Sequence, residues 1–324
     1  MTDAEPDILV LREGTHGLST TDYAEAIRER LPNQSVVSAT KPQEEFNYIK
    51  RASIATGVGI TEELLSRAKN LRLFACAFAG YDHLPMNALS DENIAVTNAS
   101  GIHASSIADQ AIGFMLMYSR RLDEGIRRTQ KREWRHFQAS ELTGSTVTVV
   151  GLGAVGTEII KRLQGFETNT IGVRYTPEKG GPADEVLGFD DLHSALAKTD
   201  YLILASPLTD TTELLISKDE FITMSSEAVL INVARGRLVN TDDLVSALQR
   251  EQIGAAALDV TDPEPLPDSH PLWKFGNIII TPHNAGHTPL HWDRLADILA
   301  QNVRHIRETK TYTNLENQVL EPGH

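Results

Sequence analysis

Three segments in the second half of the chain carry the residue types needed to reduce a ketone. They are INVARGRLVN with Arg235, ALDVTDPEPLP with Glu264 and ITPHNAGH with His283. A histidine can donate a proton near neutral pH to the alkoxide that forms when a hydride reaches the carbonyl carbon. A nearby carboxylate orients such a ring and raises its pKa, and an arginine fork binds the carboxylate of a 2-oxo acid. The set therefore suits hydride reduction of a 2-oxo acid.

Two neighbouring residues leave alternatives open at this site. Asp262 is a rival carboxylate partner for His283. His287, four residues after His283, could suggest a metal site, but no third ligand stands out and we expect no metal.

Each of the three segments follows an apolar run typical of a buried strand. The runs of this half of the chain are STVTVVG, TNTIGVR, DYLILAS, AVLINVA, IGAAALDV and NIIITPH. They alternate with segments of helix length, which predicts a parallel sheet with helices on both faces. The carboxyl ends of such strands line the crevice where ligands bind, so the three reactive residues are expected at one edge.

The first third of the chain shows a second series of the same kind. Strands are predicted at 7–12, 34–39, 71–77 and 94–99, and helices at 21–31 and 61–69. One long helical stretch is predicted over 101–128, another runs to about residue 307, and the tail 314–324 is polar. The fold class predicted is α/β, with two Rossmann-like, doubly wound parallel-sheet domains.

A glycine-rich turn follows the first strand of the later series. TVTVVGLGAVGTEIIKRL places Gly151, Gly153 and Gly156 between a strand and a helix. In a dinucleotide fold the first glycine allows a tight turn, the second lets the pyrophosphate approach, and the third lets helix and strand pack closely. The phosphates would lie at the helix start, where free N–H groups favour anions. We therefore predict a dinucleotide site here.

The end of the next strand indicates which dinucleotide is used. An acidic residue there binds the ribose 2′-hydroxyl of NAD, but residues 170–177 contain no carboxylate. Arg174 could pair with a 2′-phosphate, and Tyr175, Thr176 and Lys179 add hydroxyls and a second cation. We expect NADP(H) to be preferred and NAD(H) to be possible; the alternative is that Arg174 is an ordinary surface arginine.

Composition narrows the class of protein. The 324 residues suffice for two domains, and a formal net charge of -14 disfavours nucleic acid or an anionic membrane as partner. No apolar run approaches roughly 18 residues and the start lacks a secretory pattern, so we expect a cytoplasmic protein. A single cysteine, Cys76, excludes an internal disulfide. The acidic surface, with 10 Lys against 20 Arg, resembles proteins of a high-salt cytoplasm, where salt screens self-repulsion.

Several motifs together resemble those of the D-isomer-specific 2-hydroxyacid dehydrogenases. They are VVGLGAVGTEI, ASPLTDTTELLI, NVARGRLVN, ALDVTDPEPL and TPHNAGHT, and in the first half FAGYDHLPM and VTNASGIHASSIADQAIGFML. The resemblance covers most of the chain, in order and spacing. The acidic composition makes the halophilic archaeal members the closest likeness.

The resemblance implies a role for each matching residue. Arg235, Glu264 and His283 match the catalytic arginine, glutamate and histidine of the family, and Asp259 matches an aspartate near the nicotinamide amide. Ala79 and Gly80 match a loop whose backbone N–H groups hold the substrate carboxylate. Further expected cofactor contacts are Ala154, Val155, Pro207 and Ala234. Candidates for the substrate pocket, which could equally be packing residues, are Phe78, Tyr81, His103 and Trp292.

The family fold also implies the domain organisation. A substrate domain would comprise residues 1–101 plus 289–324, and an NAD(P)-binding domain 102–288 would lie across a cleft from it. Family members are usually dimers built through the coenzyme domains, so we expect a homodimer. Trp134 and Trp273 are expected in a core or an interface.

The resemblance leaves the substrate open among glyoxylate, hydroxypyruvate and branched 2-oxo acids. The same scaffold serves formate or phosphite oxidation, but formate-type members lack the glutamate partner of the histidine, so Glu264 argues against that reaction. Dinucleotide-sensing corepressors, which bind protein partners, also resemble the family, and an intact Arg–Glu–His set does not exclude such a role.

Overall fold

The computed structural model describes residues 7–15 and 17–323, and the chain divides into two compact units. The terminal unit contains the described residues up to Ile102 together with those from His287 onward. The central unit is His103–Gly286. The terminal unit is therefore formed by two separate segments of the chain, and the central unit is one continuous segment.

The terminal unit begins with five short strands alternating with four helices. In chain order these are β1 Ile8–Val10, α1 Thr20–Arg30, β2 Val36–Ser38, α2 Pro42–Tyr48, β3 Ile54–Gly57, α3 Glu62–Leu65, β4 Leu73–Cys76, α4 Met86–Asp91 and β5 Ala95–Thr97. Alternation along a strand sends side chains to both faces: Ile8 and Val10 join one core cluster, and Leu9 and Leu11 join the other. Burial on both faces explains why these strands read as continuous apolar runs.

The central unit contains seven strands and six α-helices. Its elements are α5 Ala104–Ser119, α6 Leu122–Lys131, β6 Thr146–Val150, α7 Ala154–Leu163, β7 Asn169–Val173, β8 Glu185–Leu187, α8 Leu192–Leu196, β9 Tyr201–Leu204, α9 Lys218–Thr223, β10 Val229–Asn232, α10 Thr241–Gln249, β11 Ala255–Leu258 and β12 Ile278–Ile280. All seven strands are parallel, in the order β12-β11-β10-β9-β6-β7-β8. The strand order reverses between β6 and β9, which is where a doubly wound sheet opens a ligand crevice.

The last helix and strand complete the terminal unit. Helix α11 is His291–Thr309 and strand β13 is Gln318–Leu320. The Trp292 ring stacks on the buried Tyr23 ring of α1 at 4.6 Å between centroids, and Arg30 bonds to Asp297 at 2.5 Å. The sheet order is β13-β5-β4-β3-β1-β2, with every strand parallel except β13, which pairs antiparallel with β5.

The predicted fold class, two α/β units each built on a parallel sheet, is confirmed. Every predicted strand contains an observed one, but β3, β8 and β13 and helices α2 and α4 were not predicted. The single helix predicted over 101–128 is wrong, because the chain breaks at Arg121, whose φ of 50° is left-handed. In the described part of the chain no helix is long and apolar enough to cross a bilayer.

Candidate active site

The glycine turn between β6 and α7 leaves no room for side chains at two of its glycines. Gly151 has a φ of 99°, and a β-carbon there would lie 2.6 Å from the backbone N of Ser206, beyond the end of β9. A β-carbon on Gly156 would overlap the carbonyl oxygen of Gly151. Gly151 therefore lets the turn close against β9, and Gly156 lets α7 pack on the turn.

Gly153 differs, because a β-carbon there would meet nothing within 4 Å. It lies immediately before α7, where the first N–H groups of a ten-residue helix have no partner within the helix. Open space beside unpaired donors and a positive helix end is what an anionic pyrophosphate requires. The turn therefore fits the phosphates of a dinucleotide, with Ala154 and Val155 in the first turn of the helix.

Two other expected cofactor residues lie at the same edge of the central sheet. Pro207 follows β9, and its carbonyl accepts a bond from the hydroxyl of Thr212 at 2.7 Å. Ala234 follows β10, and its N–H donates to the buried Asn232 side chain at 3.1 Å. Both loops are thus fixed by side-chain hydrogen bonds at the carboxyl ends of adjacent strands.

Arg174 is the first residue after β7, the position at which a cofactor selector was expected. Its Nη1 donates to the carbonyl of Gly180 at 2.6 Å, and its backbone N–H donates to Leu187 at 3.0 Å. Thr176 is half-buried and Tyr175 is exposed in the loop that follows. The guanidinium is therefore held over this loop by a backbone carbonyl.

His283 and Glu264 form a direct pair. The Nδ1 atom of His283 lies 2.6 Å from Oε1 of Glu264, and the side chains are 50% and 41% exposed. With Nδ1 occupied by the carboxylate, Nε2 is the ring nitrogen left to meet a substrate. The rival carboxylate, Asp262, lies two residues earlier and is not the partner that the structure gives to His283.

The loop that carries His283 is organised by Asp259, which is 2% exposed. Asp259 Oδ1 accepts bonds from Thr281 Oγ1 at 2.5 Å and the N–H of Asn284 at 3.1 Å, and Oδ2 accepts from the N–H of Ala285 at 3.0 Å. His283 itself has a φ of 51°, a conformation that costs free energy in a non-glycine residue. The structure thus gives the Asp259 carboxylate three bonds to this loop, whereas the resemblance implied a contact with the nicotinamide amide.

Arg235 lies beyond the end of β10 with an exposed side chain, and its Nη1 donates to the carbonyl of Ala234 at 2.7 Å. The buried Asn232 donates to the carbonyl of Arg235 at 2.9 Å and so holds this turn. A β-carbon on Gly236 would overlap the carbonyl oxygen of Thr261, so the Arg235 turn lies directly against the segment leading to Glu264. Asn232 was not predicted; a buried asparagine ending the apolar run VLIN was the available signal.

The expected substrate loop lies in the terminal unit, immediately after β4. Ala79 and Gly80 are exposed, and the carbonyl of Ala79 accepts a bond from Asn98 Nδ2 at 2.6 Å. Phe78 is half-buried with its ring against His83, and Tyr81 is partly exposed. The loop therefore lies at the surface of the protein.

Four aromatic or histidine candidates are resolved differently. Trp292 is buried against Tyr23 and is a packing residue. His103 lies with its ring 3.5 Å from the position of a β-carbon on Gly286, beside the histidine loop. Trp134 is fully exposed, so a core position for it is wrong, and Trp273 is half-exposed with its Nε1 bonded to Pro267. Among the described residues, no group of three or more His, Cys, Asp or Glu side chains could hold a metal ion.

Comparisons with known proteins add to this geometry. The family model described as "D-isomer specific 2-hydroxyacid dehydrogenase, NAD binding domain" matches residues 112–285. The glyoxylate reductase of Thermofilum pendens is 34% identical over 253 residues, covering 75% of this chain and 74% of that protein. The human glyoxylate reductase/hydroxypyruvate reductase is 34% identical over 242 residues, covering 72% of this chain and 73% of that protein.

Solved structures give the same picture for the whole chain. The crystal structure of a D-isomer specific 2-hydroxyacid dehydrogenase family protein from Aeromonas salmonicida superposes with a TM-score of 0.80 at 26% identity. The match covers 98% of this chain and 99% of that one. The shared fold therefore includes both units.

Proposed function

The chain belongs to the D-isomer specific 2-hydroxyacid dehydrogenase family, and from that membership we propose that it reduces 2-oxo acids to D-2-hydroxy acids with NADPH as the preferred cofactor. It is an NAD(P)-dependent oxidoreductase that acts on the CH–OH group of 2-hydroxy acids. The observation that carries the proposal is the His283–Glu264 pair, on the sheet edge that also bears Arg235 and the glycine turn.

When bound, the nicotinamide cofactor supplies the hydride. The turn Gly151–Gly156 and the start of α7 would hold its pyrophosphate, with Pro207 and Ala234 in the adjacent loops. Arg235 binds the substrate carboxylate and polarises the ketone with its planar fork of donors. From the family resemblance, the backbone N–H groups of Ala79 and Gly80, in the terminal unit, are also proposed to bind a substrate carboxylate.

His283 supplies the proton. As the carbonyl carbon gains the hydride, Nε2–H of the imidazolium donates its proton to the alkoxide oxygen, and the product is a hydroxyl group. Glu264 accepts the Nδ1–H bond throughout, so it fixes the orientation of the ring and stabilises its positive charge before transfer. Asp259 holds the backbone of the loop that carries His283 and does not contact the substrate.

The proposal of NADPH rests on Arg174. The guanidinium lies at the end of β7, and residues 170–177 carry no carboxylate that would repel a 2′-phosphate. NADH lacks the 2′-phosphate, so it would still bind through the pyrophosphate turn but without the contacts to that phosphate. NADH is therefore the weaker cofactor.

Glyoxylate and hydroxypyruvate are the substrates we place first. The relatives from Thermofilum pendens and human, each 34% identical, are named as reductases of glyoxylate or of glyoxylate and hydroxypyruvate. The test is a panel of glyoxylate, hydroxypyruvate, pyruvate and branched 2-oxo acids, with NADPH and with NADH, at molar salt. Turnover of at least one acid with NADPH supports the proposal, and a rate seen only with NADH would contradict the cofactor assignment.

A homodimer through the central unit is proposed from the surface of α6. This helix has no buried residue, and Leu122 and Ile126, four residues apart on one face, are each about half-exposed. Trp134, just beyond the helix, is 100% exposed. A second copy of the chain would cover these side chains. Light scattering on a size-exclusion column should give the dimer mass, and Trp134→Ala should weaken the dimer; a monomer at micromolar concentration would refute it.

Composition supports a salt-rich cytoplasm as the working environment. The formal net charge is -14 and lysine is half as frequent as arginine, at 10 against 20. At low ionic strength such an excess of like charge destabilises the compact state, and salt screens it. A requirement for salt is therefore part of the proposed function.

A further inference from the structure

The side chain of Leu152, between the first two glycines of the turn, occupies a slot formed by two other glycines. Leu152 is 8% exposed. A β-carbon on Gly172, within β7, would lie 2.7 Å from its Cδ1, and a β-carbon on Gly181 would lie at the same distance from the same atom. Carbon atoms in contact need about 3.5–4.0 Å, so neither glycine can gain a side chain unless Leu152 or the backbone moves.

The Gly181 side of the slot belongs to the loop that orients Arg174. Residues Pro177–Lys179 form a short 3-10 turn, closed by a bond from the N–H of Gly180 to the carbonyl of Pro177 at 2.9 Å. Gly180 has a φ of 60°, in the region that favours glycine, and its carbonyl accepts the bond from Arg174 Nη1. The orientation of the guanidinium therefore depends on the position of the backbone at 180–181. That backbone packs against the Leu152 side chain.

The guanidinium so held keeps most of its capacity to bind a phosphate. Arginine has five N–H donors, and the bond to Gly180 uses one of them. Within residues 7–15 and 17–323, Arg174 forms no salt bridge with a carboxylate. The Nε and Nη2 edge can therefore make the two parallel bonds by which arginine recognises phosphate.

We infer that Leu152, Gly180 and Gly181 are positioning residues that set the preference for NADPH over NADH by holding Arg174 in place for the 2′-phosphate. The inference rests on the proposed preference for NADPH. Leu152 also joins the two halves of the cofactor site, since its backbone is part of the pyrophosphate turn and its side chain supports the selector loop. None of the three needs to touch the 2′-phosphate, because they act through Arg174.

The test measures binding rather than turnover. Dissociation constants of NADPH and NADH are measured by cofactor fluorescence for the wild-type chain and for Gly181→Ala, Leu152→Ala, the double variant and Arg174→Ala. Gly165→Ala is the matched control, because Gly165 is an exposed glycine of the same unit at which a β-carbon meets nothing within 4 Å. Thermal unfolding shows that each variant is folded.

Gly181→Ala should weaken NADPH binding about tenfold, the cost of losing a preorganised donor, and change NADH binding by less than about twofold. Leu152→Ala, which also alters the pyrophosphate turn, should weaken NADPH binding about tenfold more than it weakens NADH binding. The control should leave both constants within about twofold of wild type. The double variant should lose less than the product of the two single losses, because the truncated side chain at 152 makes room for the methyl group at 181.

Two failures can be told apart. If the wild-type chain binds both cofactors equally, or Arg174→Ala leaves their ratio unchanged, the proposed preference itself is wrong. If Arg174→Ala abolishes the preference while Gly181→Ala and Leu152→Ala keep the wild-type ratio, the preference stands and the positioning role is overturned.

Discussion

Replacing Glu264 by glutamine tests the role of the carboxylate that holds His283. The change keeps the size of the side chain but removes the charge that accepts the 2.6 Å bond from Nδ1. A hydrogen bond to a charged group contributes about 1.5–3 kcal/mol. Both side chains are roughly half-exposed, at 50% and 41%, so solvent screens the pair and the lower part of that range applies.

A loss of about 1.5–2 kcal/mol of transition-state stabilisation corresponds to a fall in kcat of roughly 10- to 30-fold. KM for the 2-oxo acid should change less than about threefold, because Glu264 contacts the histidine and not the substrate carboxylate. The assay is the steady-state oxidation of NADPH with one good 2-oxo acid. A kcat within about threefold of wild type would refute the proposed pairing.

Asp262→Asn is the matched control for this experiment. Asp262 carries the same charge two residues earlier, and among the described residues its bonding is through the backbone carbonyl, which accepts from Thr241 at 3.0 Å. Removing this charge should change kcat by less than about twofold, as expected of a surface substitution. If both variants lost activity equally, net charge near His283 would matter rather than the Glu264 bond.

Four further predictions follow from other parts of the chain. Arg174→Asp should shift the ratio of kcat/KM for NADPH over NADH by roughly 100-fold toward NADH, because a charged bond is replaced by repulsion; an unchanged ratio would contradict this. Asp259→Asn should lower kcat at least about tenfold and lower Tm, since three bonds to the His283 loop depend on that carboxylate, and wild-type values for both would refute its positioning role. Hydrogen bonds from the Thr170 hydroxyl and N–H hold the pKa of Asp184 below its usual range. The ionised Asp184 carboxylate therefore stabilises the folded protein at pH values above its pKa in the unfolded chain, and this stabilisation is lost as the pH falls through its pKa in the folded protein. Asp184→Asn should therefore destabilise the protein by at most about 1 kcal/mol at pH 7, because the group is exposed, and the difference from wild type in Tm should disappear in acid, below about pH 4. Raising KCl from roughly 0.1 M to molar concentration should raise both Tm and activity through screening, and a maximum of activity without salt would contradict the proposed salt requirement.

The sequence was informative where a single local pattern decides the structure. The strand that ends at Val150, the glycines after it and the helix after them could be predicted in order, because the strand, the glycine pattern and the helix lie in one short segment of the chain. The strands of the central sheet could also be predicted, because burial on both faces leaves continuous apolar runs such as YLIL in β9.

Short secondary-structure elements of mixed composition could not be predicted from the sequence. β3 contains threonine and glycine, and it is a strand because β1 and β4 pair with it on either side. β13 lies in a polar tail and is formed by antiparallel pairing with β5. The helix break at Arg121 has no proline or glycine at the break itself. For both strands the pairing partner is remote in the sequence, so pairing overrides local propensity.

The candidate site shows the same division. The identity of Arg235, Glu264 and His283 could be proposed from residue type and position after strands, and the choice of Glu264 over Asp262 came from the family resemblance. The three bonds that Asp259 makes to the loop 281–285 could not be proposed, because they depend on how the ends of β11 and β12 meet. The slot that Leu152 occupies could not be predicted either, because it is formed by Gly172 and Gly181, which lie 9 residues apart.

The most direct test of the central claim is to follow the hydride itself. NADPH carrying deuterium at the transferable position of the nicotinamide is incubated with the chain and hydroxypyruvate or glyoxylate at molar salt, and the product is analysed by mass spectrometry. A chiral 2-hydroxy acid product, such as that from hydroxypyruvate, is also resolved by chiral chromatography. We expect one deuterium at carbon 2 of the hydroxy acid and the D isomer alone. A product without deuterium, an L product, or no product from any 2-oxo acid with NADPH would contradict it.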